Sequence, residues 1–150
     1  NWKEVNMKIV LQRVQRASVS VDNEIVGRID KGYLVLLGVG QGDTREDAIR
    51  LVKKMVNLRI FADENDKINL SLKDVDGSIL VVSQFTLYAD CRKGNRPNFI
   101  MAGTPELAEE LYEFFVDECK KYIPIVEKGI FGADMKVELL NDGPFTVILE

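Results

Sequence analysis

The spacing of apolar residues predicts several β-strands along the chain. Residues 7–14 are rich in apolar and β-branched side chains, and in residues 17–21 valines and serines alternate between two faces. Asp22 and Asn23 are typical of a tight turn, so the chain is expected to return there as the second strand of a hairpin. Residues 33–39 are almost continuously apolar, which is typical of a buried central strand.

Further strands are predicted in the second half of the chain. A buried strand is expected at residues 78–85, followed by a polar loop at residues 90–98. The last two predicted strands are residues 135–140 and residues 145–149. Between them, residues 141–144 (Asn-Asp-Gly-Pro) have the composition of a turn.

Two longer helices are predicted from their start signals. Thr44 followed by Asp47 resembles a capping box, and apolar residues recur at helical spacing over residues 48–56. Thr104 offers a capping hydroxyl directly before Pro105, which suits the first helical position. Because the strands cluster in hairpins and do not alternate strictly with helices, the sequence predicts an α+β fold: a single domain with a mainly antiparallel, barrel-like sheet.

Length and composition favour one globular domain without a membrane span. The chain has 150 residues, of which 46% are hydrophobic and 29% are charged. We expect residues 7–150 to form the domain, and residues 1–6 to be an N-terminal extension or an expression remnant. No apolar run reaches the roughly 20 residues that cross a bilayer, and residues 1–6 lack the apolar core of a secretory signal. A cytoplasmic protein is therefore expected.

The absence of histidine narrows the chemistry more than any other feature of the composition. It excludes a Ser-His-Asp triad, a Cys-His pair and His-ligated zinc. Cys91 and Cys119 are too few for a disulfide framework and lack metal-ligand spacing. We therefore expect neither a metal nor a cofactor, and catalysis must use carboxylates, hydroxyls, backbone dipoles or groups of the substrate.

The net charge of −4 limits how nucleic acid can be bound. Proteins that track a long nucleic acid usually show a basic face and a high pI. Either nucleic acid is not the partner, or only a short end of it is held.

Two candidate site segments combine polar groups with a fixed backbone. The 83–86 segment places polar side chains where a buried strand meets a loop, a common position for a functional site. The alternative is an ordinary strand end with its hydroxyls in solvent. In residues 141–144, a cis bond before Pro144 would turn the carbonyls of Gly143 and Pro144 in one direction, as an acceptor pair for an ammonium group. The alternative is an ordinary trans hairpin loop. The residues of the 83–86 segment are Ser83, Gln84, Phe85 and Thr86.

The 92–96 loop is the densest basic stretch, with Arg92, Lys93 and Arg96 placed around a glycine. These cations suit a phosphate or an RNA end, and the alternative is a solvated surface loop. Lys53 and Lys54 are interpreted as plain helix surface.

The 131–135 segment mixes small residues with two larger apolar ones. Small residues permit close backbone approach, and Phe131 or Met135 can cover a flat ring. The alternative is a bend between strands. Phe99 and Met101 are interpreted as core residues. The small residues of the segment include Gly132 and Ala133.

Together these segments resemble the D-aminoacyl-tRNA deacylase family over nearly the whole chain, from Met7 to Glu150. Any one of the matching pieces is a weak signal, but all five at these separations are specific. As they stand in this chain, the pieces are Leu11-Gln12-Arg13-Val14, Ser83-Gln84-Phe85-Thr86-Leu87, Lys93-Gly94-Asn95-Arg96-Pro97, Phe131-Gly132-Ala133-Asp134-Met135 and Asn141-Asp142-Gly143-Pro144-Phe145-Thr146.

The resemblance implies a homodimer that hydrolyses the ester bond of D-aminoacyl-tRNA. The 83–86 segment of one subunit would face a cis Gly143-Pro144 bond of the other, whose carbonyls would meet the α-ammonium group and leave no room for an L side chain. Arg13 would brace the loop that holds this bond. A pocket for the terminal adenosine would be lined by Phe131, Gly132, Ala133 and Met135.

The implied partner is the acceptor end of a tRNA that carries a D-amino acid or glycine. Glycine has no L side chain, so glycine mischarged on tRNA-Ala is also expected to be hydrolysed, and the activity is chiral proofreading in translation. Neither DNA nor a membrane is an expected partner. Arg92, Lys93 and Arg96 are candidate RNA contacts.

The mechanism implied by the resemblance needs no histidine, because an aminoacyl ester is already activated. Backbone N–H groups near Phe85 and Thr86 would stabilise the oxyanion. Thr86 as a nucleophile would need a base that the sequence does not supply, so a water positioned with help from the terminal ribose 2′-hydroxyl is favoured.

Two positions depart from the family pattern, and other functions stay open. Family members usually carry Val where this chain has Phe145, and Thr where it has Lys128. The alternative functions are a hydrolase of another ester, a non-enzymatic module that binds RNA ends or a partner, and a structural α+β dimer.

Overall fold

The computed structural model describes residues 6–150. The expected N-terminal extension therefore lies outside the described residues, apart from Asn6, whose backbone oxygen accepts a hydrogen bond from the Tyr88 hydroxyl at 2.6 Å. The helices are α1 (Arg45–Asn57) and α2 (Pro105–Lys120), and a 3-10 helix spans Phe85–Tyr88. The strands are β1 (Lys8–Val21), β2 (Glu24–Ile29), β3 (Gly32–Gly38), β4 (Arg59–Ala62), β5 (Ile68–Ser71), β6 (Ser78–Ser83), β7 (Val126–Lys128) and β8 (Lys136–Leu149).

The main sheet has the order β2-β1-β3-β6-β7, and β8 also pairs with β1. β1 is antiparallel to β2, β3 and β8, whereas β6 is parallel to both β3 and β7. The predicted α+β domain with two longer helices is confirmed, and its sheet is mixed because these two pairings are parallel.

The sheet curls until its two ends come close together. A Cβ on Gly27 of β2 would lie 2.8 Å from the carbonyl oxygen of Lys128 in β7. The neighbouring backbone N–H of Arg28 donates to Glu127 Oε1 at 3.3 Å. The result is the nearly closed barrel that the sequence predicted.

Two apolar clusters lie on the two faces of the curled sheet. α1 and α2 cover one face, where Met55 and Phe115 are among the buried residues. The second cluster lies inside the curl and includes Leu34, Leu80 and Val82. Burial on both faces accounts for the continuous apolar run in β3.

Both predicted helix starts are confirmed. The backbone N–H of Thr44 donates to Asp47 Oδ2 at 2.8 Å, and Thr44 Oγ1 accepts from the N–H of Asp47, which completes the capping box. Thr104 Oγ1 accepts from the N–H of Leu107 at 3.2 Å, directly before Pro105 at the start of α2.

Two predicted pairs of strands are each one continuous strand. The two predicted strands at residues 7–14 and 17–21 correspond to β1, which begins at Lys8, and those at residues 135–140 and 145–149 correspond to β8, which begins at Lys136 and pairs with β1 along most of its length. The predicted hairpin turn at residues 141–144 is therefore wrong.

The polar segment of β8 is a bulge. Gln12 pairs with Thr146, but Val14 pairs with Asn141, so residues 142–145 bulge out opposite the single residue Arg13.

The predicted strand at residues 78–85 ends earlier than expected, at Ser83, and the 3-10 helix begins at Phe85. No helix among residues 6–150 is long and apolar enough to span a membrane.

Candidate active site

The 83–86 and 131–135 segments meet in one groove of about 630 Å³ within a single chain. The end of β6 supplies the first segment, and the connection into β8 supplies the second. The N-terminal turns of α2 form a further wall. The lining residues are Val39, Val82, Ser83, Gln84, Phe85, Thr86, Phe99, Ala102, Gly103, Pro105, Ala108, Phe131, Gly132, Ala133, Asp134, Met135 and Val137.

The sheet holds the 83–86 segment in place. The backbone N–H of Gln84 donates to the carbonyl of Leu37 at 2.8 Å, which extends the β3–β6 pairing by one bond. The Gln84 side-chain amide then donates to Thr86 Oγ1 at 2.6 Å. The first N–H groups of a helix have no partner inside it, so the start of the 3-10 helix at Phe85 presents backbone donors at the groove.

Two aromatic rings stand beside these donors. The Phe85 side chain is 56% exposed, and its ring meets that of Phe99 edge to face, with the centroids 5.0 Å apart. Phe99 and Met101 are both half-exposed and lie in neither apolar cluster. Their interpretation as core residues is therefore wrong. The polar run before Phe99 was the sequence feature that could have indicated an exposed position.

Tyr112 of α2 fixes the start of the connection that carries the 131–135 segment. The single proton of its buried hydroxyl is shared between two carbonyl oxygens, that of Val81 at 3.1 Å and that of Gly129 at 3.0 Å. Burial raises the pKa of Tyr112, so the hydroxyl stays a donor at neutral pH. The Tyr112 ring also lies 6.0 Å from the Phe131 ring, centroid to centroid. One side chain therefore joins β6 to the groove wall.

The groove contains few side chains that could act as a general acid or base. Asp134 is the carboxylate among its lining residues, and it is largely exposed and pairs with Lys136 at 3.1 Å. Among residues 6–150, no group of three or more Cys, Asp or Glu side chains is placed to hold a metal ion. The polar groups that remain are hydroxyls, the Gln84 amide and backbone N–H groups.

The Gly143-Pro144 bond is cis, and it lies away from the groove of its own chain. Neither residue lines the groove, and both are exposed. Val137, at the groove end of β8, is six residues earlier, which corresponds to about 20 Å along a strand. A single chain therefore does not bring this bond to the 83–86 segment.

Arg13 contacts the bulge from the helix-covered side of the sheet. Its Nε donates to the carbonyl of Asp142 at 3.1 Å, and its Nη1 donates to the carbonyl of Ile60 at 2.6 Å. Its guanidinium carbon lies 4.5 Å from the centroid of the Phe145 ring and 6.0 Å from that of Phe61. The guanidinium therefore ties β4, β1 and the bulge together.

The 92–96 loop does not line the groove. Arg92 binds Asp90 through Nε at 2.9 Å and Nη2 at 2.8 Å. These bonds lower the pKa of the Asp90 carboxyl to about 2. Because Asp90 binds it, the charge of Arg92 is largely neutralised within its own loop. Lys93 and Arg96 are exposed.

The chain is similar to known proteins over nearly its whole length. Residues 10–150 match the family model described as D-Tyr-tRNA(Tyr) deacylase. D-aminoacyl-tRNA deacylases from Thermosipho africanus (strain TCF52B) and Caldicellulosiruptor saccharolyticus (strain ATCC 43494 / DSM 8903 / Tp8T 6331) are 55% and 58% identical over 144 residues, with 96% of this chain and 97% of each relative covered.

Solved structures show the same fold. One described as c-Myc DNA Unwinding Element Binding Protein has a TM-score of 0.90 at 44% identity, covering 95% of this chain and 97% of that one. Another, of a probable eukaryotic D-amino acid tRNA deacylase, has a TM-score of 0.82 at 20% identity, covering 97% and 99%. With 141 of its 150 residues matched to one family model, the chain belongs to the D-Tyr-tRNA(Tyr) deacylase family of hydrolases.

Proposed function

We propose that this chain hydrolyses the ester bond of D-aminoacyl-tRNA, and of glycine mischarged on tRNA-Ala, to release the free amino acid and tRNA. The observation that carries the proposal is the groove, in which the 83–86 and 131–135 segments meet in a member of a deacylase family. The physiological role is chiral proofreading in the cytoplasm.

The shape of the groove suits the end of an aminoacyl-tRNA. Phe131 and Met135 offer apolar surface for a flat adenine ring, with Gly132 and Ala133 leaving room beside them. The ester carbonyl then lies near the start of the 3-10 helix, where the N–H groups of Phe85 and Thr86 stabilise the developing oxyanion.

Water is the nucleophile in this mechanism. It adds to the ester carbonyl, the bond between the carbonyl carbon and the ribose 3′-oxygen breaks, and that oxygen leaves as the 3′-hydroxyl. The ribose 2′-hydroxyl helps to position the water. Thr86 accepts a hydrogen bond from Gln84 and has no basic side chain beside it among the groove residues, so it acts as a hydrogen-bonding group.

Chirality is selected by a second copy of the chain. In the proposed homodimer, Gly143 and Pro144 of one subunit face the 83–86 segment of the other. Their carbonyls accept hydrogen bonds from the α-ammonium group of the substrate and exclude an L side chain. Glycine has no side chain to exclude, so it is also hydrolysed.

An apolar row on the sheet supports this pairing of subunits. Val82 lines the groove and pairs with Leu36, Leu36 pairs with Val10, and Val10 pairs with Ile148. Cross-strand partners point to the same face, and Ile148 is 63% exposed. The row therefore runs from the groove to the strand that carries Gly143 and offers a second copy an apolar contact.

The activity is tested by supplying three tRNA substrates that differ only at the α-carbon. Release of D-tyrosine and glycine but not L-tyrosine is expected, and hydrolysis of all three at one rate would refute selection by exclusion. Equal turnover of D-aminoacyl-tRNA and a small D-amino acid ester would indicate a different ester as the substrate. For Thr86→Ala, partial activity is expected, and a collapse to background would indicate that Thr86 is the nucleophile.

The shared site is tested by mixing two inactive variants. Ala133→Trp fills the groove, and Gly143→Ala disturbs the bulge, because a Cβ there would lie 2.9 Å from the Phe145 nitrogen at a φ of 143°. After subunit exchange, half of the dimers are mixed and each has one intact site, so about a quarter of the wild-type activity should return. No recovery in a mixture shown to contain mixed dimers would contradict the cross-subunit site.

A further inference from the structure

A second groove, outside the proposed active site, is lined mainly by cations. It has a volume of about 460 Å³ and lies between the C-terminal half of α1 and the start of β4. None of its lining residues is a carboxylate. These residues are Arg50, Lys53, Lys54, Asn57, Leu58 and Arg59, and we refer to this site as the basic groove.

Neighbouring carboxylates neutralise only part of this charge. Arg50 Nη2 lies 3.9 Å from Asp47 Oδ1, on an exposed helix surface. Arg59 donates to the backbone and side-chain oxygens of Asn69, which carry no net charge. Within the described part of the chain, Lys53 and Lys54 form no ion pair within 4.0 Å. In a chain with a net charge of −4, this is a local excess of positive charge.

Stabilisation of α1 does not account for the whole cluster. Cations in the last turn of a helix interact favourably with its dipole, and Lys54 occupies that turn. Lys53 lies one residue earlier, and Arg59 lies outside the helix altogether. The four cations converge on one concave surface, which the helix dipole does not require.

The basic groove adjoins the bulge that carries Gly143. Arg59 directly precedes Ile60, whose carbonyl accepts from Arg13, and Arg13 also donates to the carbonyl of Asp142. Two hydrogen bonds and one peptide link therefore connect the basic groove to the residue before Gly143. At its other end, Arg50 Nη1 donates to the backbone oxygen of Glu150 at 3.4 Å, at the end of β8.

We propose that the basic groove binds the sugar-phosphate backbone of the tRNA acceptor stem. This inference rests on the proposed function, because the aminoacyl end would lie between Gly143 of one subunit and the active-site groove of the other, and the basic groove adjoins the bulge that carries Gly143. Phosphates attract a concave cationic surface through charge alone, independent of sequence. The 92–96 loop is the poorer candidate, since Asp90 already binds Arg92.

The test measures the affinity of uncharged tRNA at several salt concentrations by fluorescence anisotropy. Lys53→Glu with Lys54→Glu should weaken binding at least about tenfold at physiological salt and flatten the salt dependence by about 1.5 in log–log slope, as expected for two lost phosphate contacts. With a D-aminoacyl ester of adenosine, which has no stem, KM and kcat of the same variant should stay close to wild type.

Two matched pairs control for net charge and for the other basic segment. Lys67→Glu with Lys120→Glu makes the same charge change at exposed positions outside both grooves and should leave tRNA affinity near wild type. Lys93→Glu with Arg96→Glu tests the 92–96 loop. A comparable loss in all three pairs, or a loss confined to the loop pair, would overturn the proposal.

Other outcomes are equally decisive. Unchanged tRNA affinity in the Lys53 and Lys54 variant overturns the proposal. If the charge reversal prevents folding, Lys53→Gln with Lys54→Gln is measured in its place and should show a similar slope change, because the same two phosphate contacts are lost. Wild-type protein that binds tRNA without hydrolysing any D-aminoacyl-tRNA would refute the proposed function, while the binding comparison would still decide the role of the basic groove.

Discussion

Tyr112→Phe is expected to destabilise the protein and to loosen one wall of the proposed active site. The substitution removes only the hydroxyl that joins the carbonyls of Val81 and Gly129, at 3.1 Å and 3.0 Å. Val81 precedes the groove by one residue, and Gly129 begins the connection that carries the 131–135 segment. The ring and its packing against Phe131 are retained.

The size of the effect follows from the hydrogen bond that is lost. The side chain is 1% exposed, so water does not replace the missing donor. The Val81 carbonyl keeps the backbone N–H of Gly129 as a partner at 3.0 Å, and the Gly129 carbonyl carries most of the loss. A buried group that loses its partner costs about 1–3 kcal/mol, and we expect about 1.5 kcal/mol here. For a chain of this length, that free energy lowers Tm by about 3–6 °C.

Tyr33→Phe is the matched control, because it removes a buried hydroxyl that forms no bond. Tyr33 is fully buried, and no atom of the described residues is a hydrogen-bond partner for its hydroxyl. Burial raises the pKa of this phenol, so it is neutral in the native protein. Its removal relieves an unsatisfied polar group, and stability should stay constant or rise by about 1 kcal/mol.

The assay compares urea unfolding of both variants with wild type at pH 7, together with steady-state kinetics on D-aminoacyl-tRNA. We expect Tyr112→Phe to lower the midpoint and raise KM, and Tyr33→Phe to change neither KM nor the m-value. Equal destabilisation by the two substitutions would show that losing a phenol oxygen is costly whether or not it is hydrogen-bonded. The hydrogen bonds of Tyr112 would then contribute nothing measurable to stability.

Further predictions concern the bulge and the 92–96 loop. Arg13→Ala should cost about 3 kcal/mol in urea unfolding because two charge-assisted bonds are lost, and Arg13→Lys should recover less than half of it; full recovery would show that charge alone suffices. Phe145→Val should cost about 1–2 kcal/mol in thermal unfolding through the lost ring contact with the guanidinium, whereas Phe145→Tyr keeps the ring and should match wild type. In NMR titration, the Asp90 carboxyl should have its midpoint near pH 2, and Arg92→Ala should return it towards 3.8. Because the folded pKa is the lower one, the Asp90 contribution to stability is present above pH 3.8 and is lost as the pH falls towards 2; a midpoint near 3.8 in wild type would show that the Asp90–Arg92 pair is absent in solution.

Local signals predicted the helices well. The capping pairs at Thr44 and Thr104 act over three residues, so the sequence contains everything that sets each start. The short β4–β5 hairpin was not predicted. β5 is partly or fully exposed along its length, so it lacks the apolar pattern that marks the other strands.

The bulge in β8 shows where the sequence was insufficient. Asn, Asp, Gly and Pro in succession suit both a hairpin turn and a bulge, since both need backbone that departs from regular pairing. The pairing partner decides between them, and β1 lies more than 100 residues away in sequence. The same limitation applies to β1, where the predicted strands at residues 7–14 and 17–21 left out Gln15 and Arg16, but the strand continues through a shift in register between Val14 and Arg16.

The groove was predicted in parts but not as a whole. The polar interruption at the end of β6 and the small residues of the 131–135 segment were both visible in the sequence, but nothing local shows that they meet. Phe99 was misassigned because its apolar character gives no information about which surface it covers. Its contact with Phe85 depends on how the 92–96 loop folds back, where Asp90 and Asn98 pair across the loop.

Arg13 stabilises the bulge from the helix-covered side of its own chain, and Asn141 Oδ1 also accepts a hydrogen bond from the backbone N–H of Phe145 at 2.9 Å. Along β1, Arg13 points to the helix-covered face with Leu11, while Gln12 points to the opposite face with Val10. The guanidinium therefore holds Asp142 and Phe145 from within the fold, and Gly143 and Pro144 are left exposed. These contacts shape the bulge within a single chain. In the proposed homodimer, the 83–86 segment of one subunit would therefore meet a bulge whose shape is set by contacts within the other subunit.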